Sequence, residues 1–267
     1  MKKTNSRKGP LIMGILNITP DSFSDGGKFM TLEEAVKQAK KIIEEGADIL
    51  DIGGESTGPN SKFVTQEEEL SRVIPVIKAI REFSEIPISI DTYKSNVALE
   101  ALKNGADMVN DVTAMREDPK MADTIKKKKC PIILMYSKDN SPRTTIKDKK
   151  YPDIMQTIKK FFEERISYAK SKGIKGDQLI IDPGMGQFIS NIPHYSFEII
   201  ARLKELELFK KPILLGISRK SFMKEEMPSR KEKAKTLSAI AYINGANIIR
   251  THDVGELRNY LNLIGIR

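Results

Sequence analysis

The segment Gly46-Ala47-Asp48-Ile49-Leu50-Asp51-Ile52-Gly53-Gly54 contains the unit from which the fold is predicted. Its first glycine is typical of a helix end, and its Ile and Leu residues are typical of a strand buried in a parallel sheet. Asp51 stands at the end of that apolar run. A Gly-Ala-Asp or Gly-Ala-Asn start recurs at Gly105 and Gly245, each time directly before another apolar run. We interpret these stretches as one repeated junction, in which a helix ends and a strand begins.

Apolar strand-like runs of this kind alternate with segments of helical periodicity along the whole chain. The runs lie at residues 11–16, 48–53, 87–91, 107–110, 131–135, 179–182, 212–216 and 247–250. Helical segments are predicted at 31–46 (opened by a capping-box pattern at Thr31), 65–83, 94–104, 154–172, 195–208 and 231–244. This alternation over 267 residues predicts an α/β fold, a (β/α)₈ TIM barrel built as a single domain over residues 1–267.

Composition excludes several classes of function. The net charge is +9, but the lysines are scattered and interleaved with glutamate, without zinc-ligand spacing or a basic patch containing aromatic residues. No apolar run approaches the roughly 18 residues that span a bilayer. The single cysteine, Cys130, lies in an apolar run and is predicted to be a buried, inert thiol. We therefore expect a cytoplasmic protein that has neither nucleic acid nor a membrane as a partner.

Polar residues follow almost every predicted strand at its carboxyl end, which is the end where barrels of this kind have their active sites. Any single one of them could be a helix cap or turn residue, and this is our interpretation of Ser22, Asp111 and Asp253. That interpretation does not account for seven strand ends together. We therefore predict a polar substrate pocket at this rim of the barrel.

The predicted pocket has two chemically different parts. Asp91, Asn110 and Asp182 follow different strands and together suit a flat heterocycle with several N–H groups. Lys220, Arg250 and His252 follow the last two strands, where barrels often bind phosphate, and they suit an anion. No motif for covalent catalysis, and neither a Walker loop nor a GxGxxG motif, is present.

The polar motifs together resemble those of the dihydropteroate synthase family of pterin-binding TIM barrels. The longest is 14–27 (GILNITPDSFSDGG), followed by 51–57 (DIGGEST), and the others are 90–92, 110–112, 182–184, 218–221 and 250–253. They occur in the order of the family and span the chain. The resemblance implies that a pterin carrying a CH₂–O–pyrophosphate group loses pyrophosphate to p-aminobenzoate.

The resemblance also implies roles for individual residues. Asp91, Asn110, Asp182 and Lys220 would hold the pterin, and Asp91, Asp182 and Lys220 would be catalytic. Gly216 would line the pocket floor, Met135 would pack on the ring, and Thr57 would contact substrate. Arg250 and His252 would hold the pyrophosphate, and Asn17 would help to coordinate Mg²⁺. The family further implies a homodimer, which an apolar helical face around Leu237, Ile240 and Ala241 could serve. Core packing against the barrel is the simpler interpretation of that face.

Three stretches depart from the family pattern. Gly58 stands where the family has an arginine that contacts the leaving pyrophosphate, and residues 185–190 replace the usual Gly-Phe-Gly-Lys loop. Tyr136 replaces a histidine. Two alternatives to a working synthase therefore stay open: a pterin enzyme with another acceptor, such as a methyltransferase, and a pterin-binding paralogue without activity. Residues 138–150 are predicted to be a mobile loop with no assigned role.

Overall fold

The computed structural model describes residues 9–19, 31–223 and 229–266. The strands are β1 (Leu11–Asn17), β2 (Ile49–Gly53), β3 (Ile88–Asp91), β4 (Met108–Asp111), β5 (Ile132–Met135), β6 (Leu179–Asp182), β7 (Leu214–Gly216) and β8 (Ile248–Thr251). The α-helices are α1 (Leu32–Glu44), α2 (Gln66–Arg81), α3 (Ser95–Lys103), α4 (Lys120–Lys128), α5 (Ile154–Ser171), α6 (His194–Ala201), α7 (Ser229–Ile243) and α8 (Val254–Leu263). Short 3₁₀ helices occupy Gly176–Gln178, Gly186–Phe188, Leu203–Phe209 and Ser221–Met223.

The eight strands form one parallel sheet in the order β6-β5-β4-β3-β2-β1-β8-β7. A parallel bridge between Ile181 and Ile213 joins β6 to β7, and Ile181 N donates to Pro212 O at 3.0 Å. The two ends of the sheet therefore meet, and the predicted (β/α)₈ barrel is confirmed.

The two ends of the barrel interior differ in chemistry. An apolar cluster fills the amino-terminal end of the barrel and consists of Met13, Ile49, Met108, Ile133, Ile180, Leu214 and Ile248. A second, larger apolar core lies between the strands and the helices. Because both faces of each strand are covered, the strands are rich in Ile and Leu. The interior near the strand ends is polar instead, which leaves that end for binding.

The helices match the sequence predictions in part. The capping box at α1 is confirmed, because Glu34 N donates to Thr31 Oγ1 at 3.2 Å and Thr31 N donates to Glu34 Oε2 at 2.8 Å. The helix predicted at 195–208 is wrong in its second half, since α6 ends at Ala201 and a 3₁₀ helix follows. Helices α4 and α8 were not predicted. No helix in the described ranges is both long and apolar enough to cross a membrane.

Candidate active site

Two adjoining cavities open at the carboxyl ends of the strands, where the site was predicted. The outer cavity has a volume of about 470 Å³ and is lined by Asn17, Thr57, Asp91, Lys220, Arg250 and His252 among others. The inner recess, about 60 Å³, is lined by Asp91, Asn110, Met135, Asp182, Gly216, Lys220 and Arg250 among others. The structure thus brings all ten predicted site residues to one continuous site. The remaining parts of the motif at 14–27, including Ser22, lie outside the described residues.

The acidic residues of the inner recess are fixed by the strands. Asp91, Asn110 and Asp182 are at or beside the last positions of β3, β4 and β6, so the barrel register sets their separation. Burial and the neighbouring Asp51 raise the pKa of Asp91 to about 7, although Arg250 opposes the shift. Burial also raises the pKa of Asp182 to about 6. Both carboxyl groups therefore titrate close to neutral pH.

Arg250 points into the recess and pairs with two carboxylates. Its Nε donates to Asp51 Oδ2 and its Nη2 donates to Asp91 Oδ2, both at 2.6 Å. Asn110 Nδ2 also donates to Asp51 Oδ2, at 3.1 Å. Burial alone would lower the pKa of Arg250, but Asp51 and Asp91 raise it, so the guanidinium stays charged. The Arg250 side chain lines both the inner recess and the outer cavity.

Asp51 is a site residue that the sequence analysis did not select. Its side chain is fully buried, and it is the shared partner of Arg250 and Asn110. Among the described residues, its Oδ1 has no hydrogen-bond partner. The available signal was its place at the end of a strand, the same signal that identified Asp91 and Asp182.

Lys220 lies where the two cavities meet. Burial lowers its pKa to about 8, Arg250 contributes to this shift, and Asp182 and Asp91 oppose it. Its Nζ lies 4.8 Å from the centroid of the Phe188 ring. Phe188, which was not predicted as a site residue, packs with Tyr93, Val112 and Met135 into an apolar wall beside the recess. A flat ring in the recess would therefore meet an apolar face on one side and polar groups at its edge.

His252 lies in the outer cavity and is held by Ser218. The Ser218 hydroxyl lies 3.2 Å from His252 Nδ1 and 3.3 Å from Asp253 Oδ2. Burial, with Arg219 and Arg250, lowers the pKa of His252 to about 3. The imidazole is therefore neutral at pH 7. Where the Ser218 hydroxyl donates to Nδ1, Nε2 carries the ring proton and is a hydrogen-bond donor.

The residues interpreted as turn or cap residues behave differently from one another. Asp111 accepts hydrogen bonds from Thr113 N at 2.8 Å and Met115 N at 2.7 Å, so it is a turn residue as expected. Asp253 occupies the N-cap position of α8 without making a side-chain cap. Its side chain pairs instead with Arg219 and Lys231, both at 3.3 Å, so Asp253 holds the predicted cap position but not a side-chain cap hydrogen bond.

The candidate metal residue, Asn17, is exposed at the end of β1 and lines the outer cavity. In residues 9–19, 31–223 and 229–266, no three His, Cys, Asp or Glu side chains come together as a metal site. Mg²⁺ commonly keeps several waters and binds through few protein ligands together with substrate phosphates. One carboxamide oxygen beside an anion-binding cavity fits that mode of binding.

The family departures lie in three different environments. Gly58 lines the outer cavity, so the missing arginine leaves that wall without a cation at this position. Tyr136 is buried behind the site, where its ring contacts Phe161 edge to face at 5.1 Å, and it lines neither cavity. The altered stretch 185–190 supplies Phe188 to both cavities. The changes that reach the site are therefore at its outer, loop-built side.

Comparison with known proteins agrees with this geometry. The family model described as pterin binding enzyme matches residues 13–252. Dihydropteroate synthase from Clostridium beijerinckii is 41% identical over 260 residues, which cover 96% of this chain and 93% of that protein. The Escherichia coli dihydropteroate synthase is 42% identical over 251 residues, which cover 92% of this chain and 88% of that protein.

Solved structures give the same result. The dihydropteroate synthase from Clostridium difficile, determined in the presence of pteroic acid, has a TM-score of 0.87 at 42% identity and covers 99% of this chain and 100% of that chain. The enzyme from Xanthomonas albilineans in complex with 7,8-dihydropteroate has a TM-score of 0.84 at 36% identity and covers 97% and 94% of the two chains. The chain therefore belongs to the pterin-binding enzyme family and, within it, to the dihydropteroate synthases.

Proposed function

We propose that this chain joins 6-hydroxymethyl-7,8-dihydropterin pyrophosphate to p-aminobenzoate within the two cavities, giving 7,8-dihydropteroate and pyrophosphate. The observation that carries this proposal is the inner recess, where strand-borne acceptors face Lys220 across a space with an apolar wall. In the reaction the amine nitrogen bonds to the pterin CH₂ carbon. The bond from that carbon to the pyrophosphate oxygen breaks, and the amine loses a proton.

The residues of the recess bind the polar edge of the pterin ring. Asp91 and Asp182 accept from the N–H groups of the ring, and Asn110 both donates and accepts. With a volume of about 60 Å³, the recess has room for only a few water molecules as it stands. A bicyclic ring therefore requires the Arg250 guanidinium to leave Asp91 or the Phe188 ring to move. We assign Arg250 to the ring and to the first phosphate oxygen beyond it, since it lines both cavities.

Charge in the recess favours the departure of the pyrophosphate. As the carbon–oxygen bond breaks, positive charge develops at the pterin carbon, and the carboxylates of Asp91 and Asp182 stabilise it. Lys220 has a pKa lowered to about 8, so it stays mostly protonated at neutral pH and donates to the ring. These three residues are the catalytic set of the proposal, because they contact the ring that carries the reacting carbon.

The leaving group occupies the outer cavity. His252 donates from Nε2 to a phosphate oxygen, with Ser218 holding Nδ1. Asn17 would hold Mg²⁺ through its carboxamide oxygen, and the metal would supply positive charge that stabilises a leaving pyrophosphate. Gly58 supplies no cation, so His252, Arg219, Arg250 and Lys220 are the basic side chains among the described residues that line this cavity.

The acceptor occupies the side of the cavity formed by loops. Thr57 and Phe188 line both cavities, and p-aminobenzoate has a flat ring that suits packing against Phe188. In this chain the aromatic side chain comes from the altered stretch 185–190, where the family arrangement differs. The acceptor side is therefore the part of the site in which the chain departs from its relatives.

The test is a direct assay of product. Purified protein is mixed with the pterin pyrophosphate, Mg²⁺ and p-aminobenzoate, and both dihydropteroate and pyrophosphate are followed. We expect product that depends on Asp182 and is lost in Asp182→Ala. Pterin binding by calorimetry without product would instead support the inactive paralogue, which the absence of an arginine at position 58 favours. Pyrophosphate release without dihydropteroate would indicate a different acceptor.

The proposal includes a homodimer in the cytoplasm. Helices α7 and α8 pack side by side and leave Ile240, Ile243, Leu263 and Ile264 exposed at 40%, 72%, 84% and 45%. An apolar face of this kind is typical of a surface covered by another copy. We expect Ile243→Lys to give monomers in analytical ultracentrifugation, whereas the parent sediments as a dimer. The buried Cys130, with its pKa raised by burial to about 11, suits a reducing compartment.

A further inference from the structure

The loop after β5 folds on itself around a buried lysine. We call residues 136–153 loop 5, residues 54–65 loop 2 and residues 183–193 loop 6. The Lys138 side chain is 1% exposed and pairs with Asp139 at 2.8 Å. Its Nζ also donates to Thr144 Oγ1 at 2.8 Å, to Thr145 O at 2.6 Å and to Gln187 O at 2.5 Å. The stretch that was predicted as a loop with no assigned role is therefore joined to loop 6 by a fully bonded buried cation.

Loop 5 also binds loop 2 through two neighbouring residues. Thr144 N donates to Thr57 O at 3.2 Å, so the backbone of a predicted substrate residue is held directly. Arg143 forms an ion pair with Glu55 and donates from Nε to Ser61 O at 3.1 Å. These contacts join positions that are 82 and 88 residues apart in the chain. Loop 2 is thus tied along its length to loop 5.

Glu55 connects this contact to the barrel. Its side chain is 2% exposed and pairs with both Arg143 and Lys94, and Tyr93 Oη donates to it at 3.3 Å. Lys94 pairs in addition with Glu69 of α2, at 2.5 Å. Glu55 therefore keeps a buried cationic partner when Arg143 is removed. The loss of Arg143 releases the loop contact without leaving an unpaired buried charge, which would unfold the region.

Arg143 lines neither cavity, but its ion-pair partner Glu55 lines the outer one. Thr57 of loop 2 and Phe188 of loop 6 line both cavities, and both are bonded to loop 5 through their backbones. Gly58 offers no side chain with which loop 2 could anchor itself in the site. Loop 2 is anchored instead by the ion pairs of Glu55 with Arg143 and Lys94 and by the hydrogen bond from Thr144 N to Thr57 O.

We propose that Arg143 is a positioning residue that holds loop 2 against loop 5 and thereby sets the shape of the acceptor subsite between Thr57 and Phe188. The identity of the acceptor, p-aminobenzoate, rests on the proposed function. The positions of the pterin ligands do not depend on this contact, because Asp91, Asn110 and Asp182 stand on strands. The role of Arg143 is thus specific to the second substrate.

The first test compares Arg143→Met, Arg143→Lys and Lys147→Met in steady-state kinetics. Lys147 is the matched control, because it is an exposed cation of the same loop. Its hydrogen bond to loop 6 is accepted by its backbone oxygen, so the substitution leaves that bond in place. For Arg143→Met we expect the KM for p-aminobenzoate to rise roughly tenfold and kcat to change less than about threefold. The pterin Kd, measured by calorimetry, and the Tm should stay as in the parent.

Arg143→Lys should show a smaller rise in the KM for p-aminobenzoate than Arg143→Met. A lysine ammonium can pair with Glu55, but it lacks the planar guanidinium that also donates to the backbone oxygens of loop 2. An unchanged KM for the amine in Arg143→Met overturns the proposal. So does a rise in the KM of both substrates that is accompanied by a lower Tm, since that result marks a structural role.

The second test follows amide hydrogen exchange in residues 54–65 by mass spectrometry, which does not depend on turnover. We expect faster exchange in Arg143→Met than in the parent or in Lys147→Met, with strand β3 unchanged. If the parent makes no dihydropteroate, the proposed function fails, and this exchange experiment still decides the inference. Equal exchange in Arg143→Met and the parent overturns it.

Discussion

The inner recess and the acceptor side of the cavity are built in different ways. Asp91 and Asp182 end strands whose backbone pairing continues around the barrel. Thr57 and Phe188 instead lie on loops that are joined through loop 5. A residue on a strand is positioned by many backbone hydrogen bonds, whereas a residue on a loop is positioned by a few side chains. Substrate binding in the recess should therefore change only when the residues of the recess are substituted. Binding on the acceptor side should also change when residues outside the cavity are substituted.

The largest effect is expected in the recess, at Lys220. Its replacement in Lys220→Ala removes the ammonium that faces Asp91 and Asp182, so kcat/KM should fall roughly 10³-fold. The assay is dihydropteroate formation at saturating Mg²⁺, and Lys147→Met is the control. A loss of less than about tenfold would mean that Lys220 does not contact the reacting pterin.

Asp51 tests whether the recess depends on a buried charge pair. In Asp51→Asn the guanidinium of Arg250 loses one of its two carboxylate partners, so the free energy of unfolding should fall by about 3 kcal/mol. Urea unfolding measures this change, and Asp177→Asn, at an exposed position, is the control. Equal stability of the parent and Asp51→Asn would show that the pair contributes nothing to folding.

The pH dependence of pterin binding separates the recess from the acceptor side. Asp91 and Asp182, with pKa values raised to about 7 and 6, must be ionised to accept from the ring. Pterin affinity should rise about a hundredfold as pH rises from 5.5 to 7.5, with release of protons. Calorimetry in buffers of different ionisation enthalpy measures that release, and Asp182→Asn should reduce it. Uptake of protons on binding would contradict this prediction.

The same shifts affect the stability of the ligand-free protein. A carboxyl group whose pKa is raised by folding binds more protons in the folded than in the unfolded state. Its contribution is therefore fully present below the unfolded pKa of 3.8 and is lost as pH rises through the folded values of about 6 and 7. Ligand-free protein should lose stability from these two groups between pH 4 and 7, the same range in which pterin affinity increases.

A smaller effect is expected on the acceptor side, at Phe188. Phe188→Leu keeps an apolar side chain but loses the ring face beneath the Lys220 ammonium, a contact worth about 1 kcal/mol. The KM for p-aminobenzoate should rise roughly fivefold while the pterin Kd changes less than about twofold. Phe83→Leu, at an exposed helix end, is the control. A larger change for the pterin than for the amine would show that Phe188 packs on the pterin rather than on the acceptor.

The smallest effect is expected at the opposite end of the barrel. Asp107 Oδ2 accepts from Ile88 N at 2.8 Å and from Arg81 Nη2 at 2.7 Å. Asp107→Asn should lower the free energy of unfolding by about 1 kcal/mol and leave both KM values unchanged. A kinetic change in this variant would show that the two ends of the barrel are coupled.

Most of the fold could be predicted because each strand and helix has a local pattern. The predicted limits of the strands agree with the structure to within one or two residues, and the capping box at Thr31 identified the start of α1. Helix α4 was missed because it is short and lysine-rich, and its apolar positions are only Met121, Ala122 and Ile125. The end of α6 at Ala201 was missed because the apolar period continues through the following 3₁₀ helix.

The sequence by itself determined the barrel and the set of residues that meet at its rim, because the carboxyl ends of parallel strands lie at one edge wherever the strands pair. Only the tertiary structure decided which way those side chains point. Arg250 turns toward Asp51, 199 residues away, and Arg143 reaches Glu55, 88 residues away. No periodic sequence pattern predicts such pairings. The path of a loop and the rotamer of a side chain depend on partners that only folding brings into contact.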